Sequence, residues 1–100
     1  MADVCLTLIC PPTLEEKLLD ALLERVDDQL FTSTPTHSHG SAPGRLSAHE
    51  QVMGRSRAVQ VQVLLSQTEL QGLRQVLESD FRGTGLRYWA TAVTEEGECA

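Results

Sequence analysis

Two histidines of the chain, His37 and His39, are separated by a single residue within a polar stretch. On an extended backbone, residues two apart point to the same side, so these imidazoles can form half of a Zn²⁺ or Cu²⁺ site. His49, Glu50 or a neighbouring subunit would complete the site, and Cys10 is a further soft ligand. No standard metal motif surrounds the pair. The simpler alternatives are solvated loop histidines and, for Cys10, a small buried hydrophobe.

The segment that begins at His49 contains groups suited to binding an anion or a partner protein. The candidate residues are His49, Glu50, Gln51, Gly54, Arg55 and Arg57. Gly54 is predicted to supply a tight turn, because glycine tolerates positive φ. Arg55 and Arg57 present guanidinium groups that fit a carboxylate, bicarbonate or phosphate. The alternative is that these arginines only keep a sheet edge soluble and unpaired.

A second candidate anion site lies further along the chain, in the segment Arg82 to Arg87. The backbone N–H groups of Gly83 and Gly85, together with Arg82 or Arg87, can hold a phosphate. Two glycines this close together more often form only a turn.

The composition restricts the classes of function. The chain has 100 residues, 41% of them hydrophobic, and a formal net charge of -6. This acidic balance argues against nucleic-acid binding and against electrostatic adhesion to an anionic membrane. We identify neither a signal peptide nor a run of roughly 20 apolar residues that would insert into a membrane. We therefore expect a cytoplasmic protein with unpaired thiols.

The hydrophobic pattern predicts the elements that position these residues. The predicted strands cover Asp3 to Cys10, Gln29 to Thr34, Ala58 to Leu65 and Leu86 to Val93. The predicted helices begin at two capping boxes, Thr13 to Glu16 and Ser66 to Glu69. Their buried stripes are Leu14, Leu18, Leu22 and Val26, widened by Leu19, Ala21 and Leu23, and Leu70, Leu73, Leu77 and Phe81. Pro35 either ends the second strand or marks it as a sheet edge.

The order of these elements predicts an α+β fold of the ferredoxin-like βαββαβ type. Four antiparallel strands form one sheet, and two helices cover one face of it. We predict a single domain, 1–94, followed by an acidic tail, 95–100. The loop 36–57 between strands 2 and 3 is far longer than the usual 4–6 residues, so it is predicted to be functional. The free face carries Thr7, Gln60 and Gln62 beside apolar residues, which favours burial against another subunit.

The chain resembles the PII-like (GlnB-like) signalling proteins over nearly its whole length. The matching segments are LTLICPPTLEEKLLDALLE, FTSTPTHSHG and LSAHEQVMGRSRAVQVQVLL. More narrowly, TLEEKLLDALL, HSHG, LSAHEQVMGR and GLRYWATAV are similar to a small bacterial branch of unknown function, often encoded beside heavy-metal efflux pumps.

This resemblance implies a homotrimer whose long loop contacts a regulated partner, and adenine nucleotide as the ligand. The chain departs from the family at the nucleotide-binding loop, and the loop tyrosine that is uridylylated in some members has no counterpart, since the only tyrosine is Tyr88. The glycine-rich loop GDGK that binds nucleotide in typical members is replaced by FRGTGLR, without the Asp-Gly-Lys core. The resemblance therefore leaves nucleotide binding open.

We therefore predict a non-enzymatic regulatory protein whose loop responds to a small ligand or metal and docks on a membrane transporter, expected to be a heavy-metal efflux system. The alternative is a CutA-like protein that binds divalent Cu, Zn or Ni through the loop histidines. An enzyme is disfavoured, because the sequence contains no GxSxG, HExxH or Walker motif. If the protein were an enzyme, His49 or Tyr88 would be the catalytic candidate.

Overall fold

The computed structural model describes residues 2–26, 30–40 and 55–99. The strands are β1 (Val4–Cys10), β2 (Phe31–His39), β3 (Arg55–Leu65) and β4 (Arg87–Ala92), and the helices are α1 (Glu15–Arg25) and α2 (Gln67–Asp80). A short 3-10 turn, Pro12–Leu14, precedes α1. The strands form one antiparallel sheet in the order β2-β3-β1-β4. The predicted α+β, ferredoxin-like βαββαβ fold is therefore confirmed.

The core lies between the helices and one face of β1 and β3. Leu6 stands opposite Val63, and Leu8 stands opposite Val61. These four side chains are at most 1% exposed. Because strand side chains alternate, the same face of each strand supplies every second residue to the core. Residues from α1 and α2 complete the cluster: Leu18, Leu22, Val26, Leu70, Leu73, Leu77 and Phe81. Both helices therefore cover the same face.

The two predicted helix starts have different outcomes. The second capping box is confirmed: the Glu69 N–H donates to Ser66 Oγ at 3.1 Å, and the Ser66 N–H donates to Glu69 Oε1 at 2.9 Å. The first is wrong, because Thr13 lies inside the 3-10 turn and α1 begins after Leu14 without a side-chain cap. Pro11 explains the difference. Its extended backbone starts the turn, and its carbonyl accepts the Leu14 N–H at 3.0 Å.

The α1 stripe is narrower than predicted. Leu18, Leu22 and Val26 are buried, and Leu14 is partly buried against the core. Leu23, predicted to widen the stripe, is 66% exposed. Within the described part of the chain, no helix is long and apolar enough to span a membrane.

The largest correction concerns β2, which was predicted to end at Thr34. It continues to His39 and passes through Pro35, which pairs with Val59. Since β2 is the last strand of the sheet on its side, the alternative interpretation of Pro35 as an edge residue is confirmed. Strand β3 likewise begins at Arg55 rather than Ala58. Both ends of the predicted loop 36–57 therefore belong to strands, and its central residues, 41–54, lie outside the described residues.

The face of the sheet opposite the helices is less uniform than the sequence suggested. Thr7, predicted to be exposed there, is only 4% exposed. It stands between Gln62 on β3 and Trp89 on β4, and the Gln62 amide donates to its hydroxyl at 3.2 Å. Trp89 is 48% exposed and Tyr88, on the other side of β4, is 37% exposed. Strand β4 thus has apolar surface on both faces.

Candidate functional site

A cleft of about 830 Å³ lies at the end of the sheet where β1 and β2 end and β3 and β4 begin. We call it the sheet-end cleft. Its lining residues are Ile9 to Thr13, Ser38 to Gly40, Ser56 to Ala58, Gly83 to Gly85 and Arg87. The antiparallel order of the strands brings these segments together, although they are distant in sequence. The cleft therefore joins groups that the sequence presented as three separate sites.

The predicted anion-binding residues are divided between this cleft and a smaller cavity beside it. Gly83, Gly85 and Arg87 line both spaces. Arg82 lines only the smaller cavity, which has a volume of about 360 Å³. Arg57, predicted as part of the segment that begins at His49, also lines the sheet-end cleft.

The remaining candidates for the ligand or partner loop are not placed in the cleft. His49, Glu50, Gln51 and Gly54 lie outside the described residues. The backbone of Arg55 pairs with that of His39 at the start of β3. The predicted contribution of these residues to the site stays a prediction.

The two glycines of the turn after α2 have left-handed backbones. Their φ angles are 76° at Gly83 and 89° at Gly85. A Cβ atom at Gly83 would meet no atom within 4 Å, so the backbone conformation, and not a lack of space, requires glycine there. Both glycines line the cleft, and turns with successive main-chain N–H groups are a common type of phosphate-binding site.

Thr84 stabilises this turn, and the sequence analysis did not select it. Its hydroxyl donates to the Phe81 carbonyl at 2.6 Å, and its N–H donates to the same oxygen at 3.3 Å. The Leu86 N–H donates to the Thr84 hydroxyl at 3.4 Å. The position of a threonine between two glycines was the available signal, since hydroxyl side chains commonly bond to neighbouring main-chain groups in turns.

The end of the β2–β3 strand pair that lines the cleft is polar. Ser38 and Ser56 stand opposite each other, and their hydroxyl oxygens are 2.6 Å apart. Both serines line the cleft, and sequence reasoning did not identify them. Only the register of β2 with β3 could have indicated that these serines face each other, and the register cannot be predicted before the strand ends are known.

The metal candidates are only partly brought together. His37 and His39 are exposed on β2, two residues apart, and so lie on one side of the strand. His39 lines the cleft together with Cys10, whereas His37 does not. Among the described residues, no group of three or more His, Cys, Asp or Glu could hold a metal ion. The pair remains an incomplete metal site within this part of the structure.

Two features of the cleft oppose metal binding at Cys10. Burial, and to a smaller extent the negative charge of Glu15, raise the pKa of the Cys10 thiol. Since the thiolate is the form that binds metals, a raised pKa disfavours coordination at neutral pH. The described lining residues also include Arg57 and Arg87 but no Asp or Glu. This charge distribution favours an anion over a cation.

Comparison with known proteins identifies the fold. A model of the family described as "Protein of unknown function (DUF3240)" matches residues 1–100. A DUF3240 family protein from Shewanella baltica OS155 is 14% identical, with a TM-score of 0.77 over 100% of this chain and 99% of that chain. No curated protein sequence matches.

Two further solved structures belong to named regulatory or tolerance proteins. CPII from Thiomonas intermedia K12, a nitrogen regulatory PII-like protein bound to ADP, AMP and bicarbonate, is 11% identical, with a TM-score of 0.76 over 99% of this chain and 98% of that chain. CutA from Archaeoglobus fulgidus, a periplasmic divalent cation tolerance protein, is 13% identical, with a TM-score of 0.70 over 98% of this chain and 89% of that chain. At these identities the likeness concerns the fold, and the predicted PII-like architecture is confirmed.

Proposed function

Since the chain belongs to the DUF3240 family, for which no function is described, we propose that it is a non-enzymatic PII-like regulatory protein acting in the cytoplasm. Its sheet-end cleft binds a small anion, and the segment between β2 and β3 passes this signal to a membrane transporter, of which a heavy-metal efflux system is the example we favour. Adenine nucleotides and bicarbonate are the anions to test first, because the similar CPII structure holds ADP, AMP and bicarbonate.

One observation carries this proposal: the cleft contains both ends of the segment that joins β2 to β3. Gly40 and Ser56 line the cleft, and residues 41–54, followed by Arg55, lie between these two positions in the chain. A ligand held between the glycine turn, Gly83 to Gly85, and the end of the β2–β3 pair at Ser38 and Ser56 therefore contacts both ends of the segment. A ligand in that position is placed to act on the segment, as a ligand-controlled docking element requires.

The charge of the cleft supports an anionic ligand. Two of the eight basic residues of the chain, Arg57 and Arg87, line one cavity of a protein whose net charge is -6. His39 also lines this cavity. Arg87 is the residue we assign to phosphate or carboxylate binding, because it lies two residues after Gly85 and lines the cleft together with Gly83 and Gly85.

We also propose that the protein assembles as a homotrimer. Strand β4 is exposed along its whole length, and the aromatic rings of Tyr88 and Trp89 lie on opposite faces of it. A second subunit that covers β4 would bury apolar surface that a single domain of this size leaves in water. Mass determination in solution tests this arrangement directly.

The anion proposal is tested by ligand titration of the wild-type protein and two arginine variants. ADP, AMP, ATP and bicarbonate are added to wild type, Arg87→Met and Arg74→Met, with calorimetry and thermal unfolding as measurements. Arg74→Met is the matched control, since Arg74 is exposed on α2 and lines neither cavity. A ligand at 100 times its Kd stabilises the folded state by about 2.7 kcal/mol. We expect this stabilisation in wild type and Arg74→Met, and its loss in Arg87→Met. If none of the four anions stabilises the wild type, the anion proposal is wrong.

A CutA-like metal-binding role is the second candidate, favoured by the presence of both His39 and Cys10 in the lining of the cleft. Stabilisation by Cu²⁺, Zn²⁺ or Ni²⁺, but not by the anions, would support it. The double variant His37→Ala with His39→Ala decides whether these histidines are the ligands. Unchanged metal affinity in that variant would exclude them.

A further inference from the structure

Lys17, the only lysine of the chain, joins α1 to the end of α2. Its ammonium group donates to the carbonyl oxygen of Asp80, the last residue of α2, at 2.7 Å. The same nitrogen lies 4.7 Å from the centre of the Phe81 ring. The side chain thus makes a charge-assisted hydrogen bond and a cation–π contact with two consecutive residues.

The position of Lys17 in its own helix does not explain its presence. It is the third residue of α1, after Glu15 and Glu16, where the positive end of the helix dipole disfavours a cation. The C-terminal end of a helix favours a cation, and the last turn of α2 contains no basic residue of its own. Lys17 therefore supplies from α1 the charge that the end of α2 lacks.

This contact joins two elements whose neighbouring residues line the sheet-end cleft. On one side, the segment Pro11 to Thr13 lines the cleft and leads directly into α1. On the other side, Phe81 is 4% exposed, and its carbonyl accepts both hydrogen bonds from Thr84 at the centre of the glycine turn. A movement of α2 away from Lys17 would therefore shift the carbonyl on which the turn depends.

We propose that Lys17 is a positioning residue for the glycine turn. By holding the end of α2 against α1, it keeps Gly83, Thr84 and Gly85 in the conformation that lines the cleft. Its effect on ligand affinity rests on the anion-binding function proposed above, whereas its effect on the turn does not. The two consequences can therefore be measured separately.

The test compares Lys17→Met, Lys17→Arg and Arg74→Met. Methionine keeps most of the aliphatic length but removes the charge and the donors, and arginine restores both. Arg74→Met removes one positive charge from α2 without touching the contact. The ligand-independent measurement is amide hydrogen exchange of Thr84 and Leu86, whose N–H groups donate within the turn. The ligand-dependent measurement is the Kd for ADP.

We expect Lys17→Met to accelerate exchange at Thr84 and Leu86, while exchange in β1 and β3 stays as in the wild type. Its Kd for ADP should rise about threefold to tenfold, the range expected for losing one typical hydrogen bond. Lys17→Arg should restore both properties, and Arg74→Met should change neither. A purely structural role would instead accelerate exchange across the sheet.

Unchanged exchange at Thr84 and Leu86 in Lys17→Met would overturn the inference, whatever happens to ADP. If exchange is accelerated in Lys17→Met but the wild-type protein does not bind ADP, Lys17 still positions the turn, and the binding of ADP is rejected instead. Accelerated exchange with an unchanged Kd for ADP would reject the link between the turn conformation and binding.

Discussion

The same substitution, glycine to alanine, is expected to change stability in opposite directions at Gly83 and Gly72. Gly83 has a φ of 76°, whereas Gly72 lies inside α2. At both positions, a Cβ atom would meet no neighbour within 4 Å. Neither substitution creates a steric contact, so the two variants differ only in the backbone conformation that the alanine must adopt.

The magnitudes follow from the backbone alone. A left-handed conformation costs an alanine about 1–2 kcal/mol. Restricting the unfolded chain returns roughly 0.4–1 kcal/mol, so Gly83→Ala should lose on the order of 0.5–1.5 kcal/mol of unfolding free energy. In the interior of a helix, alanine is better than glycine by about 0.5–1 kcal/mol. Gly72→Ala should therefore gain that amount, and the two variants should differ by roughly 1–2.5 kcal/mol.

Urea unfolding followed by circular dichroism measures both variants. The protomer concentration must be equal in all samples, because assembly would make the midpoint depend on concentration. Gly83→Asn provides a third point, since asparagine tolerates left-handed backbone better than alanine. Its stability should lie between those of wild type and Gly83→Ala. If Gly83→Ala is as stable as wild type or more stable, the turn does not adopt the left-handed conformation, and the phosphate-binding geometry assigned to it is wrong.

Three further predictions concern the core, the helix starts and the buried thiol. Leu22→Ala should lose about 2–5 kcal/mol of stability in urea unfolding, because Leu22 is fully buried, whereas Leu23→Ala, at a side chain 66% exposed, should change it by less than about 0.5 kcal/mol. Ser66→Ala should cost about 1 kcal/mol through the lost cap, and Thr13→Ala should cost much less, since α1 has no side-chain cap; equal losses would refute the assigned helix starts. Because burial raises the pKa of Cys10 above 9.0, its contribution to stability is complete below pH 9.0 and falls as the pH rises through the folded value. Unfolding measured from pH 7 to pH 11 should show this fall in wild type and a smaller one in Cys10→Ala.

The fold could be predicted where burial governs the sequence. In β3, the apolar residues Val59, Val61 and Val63 alternate with other residues because one face of the strand is buried. This alternation predicted the end of the strand, Leu65, correctly. Strand β2 could not be bounded in this way. Its residues from Thr32 onward are mostly exposed, and an edge strand is held by backbone hydrogen bonds that leave little trace in side-chain type. Its polar sequence with a proline is therefore typical of a loop.

The same limit explains why the site was divided into separate candidates. Sequence reasoning selected His39, Arg57 and Arg87 for three different reasons, and nothing in their spacing connects them. Their proximity comes from the strand order, which puts the end of β2 and the starts of β3 and β4 at one end of the sheet. Once a βαββαβ order is predicted, the strand directions could have indicated this meeting point. The distances within it could not have been predicted, because they depend on side-chain packing.

The electrostatics of the sheet-end cleft discriminate between the two proposed functions more strongly than the residue types do. Histidine and cysteine side chains favour a metal, yet the Cys10 thiol is held protonated by burial, and the described lining carries arginines without a carboxylate. A divalent cation entering such a site would lose hydration among lining residues that include arginines and, within the described part of the chain, no Asp or Glu, which is costly in a partly enclosed space. An anion is placed close to Arg87 and to the turn that contains Gly83 and Gly85, which line the same cleft. Metal binding at His37 and His39 would therefore require ligands from residues 41–54 or from another subunit, and the anion site would not.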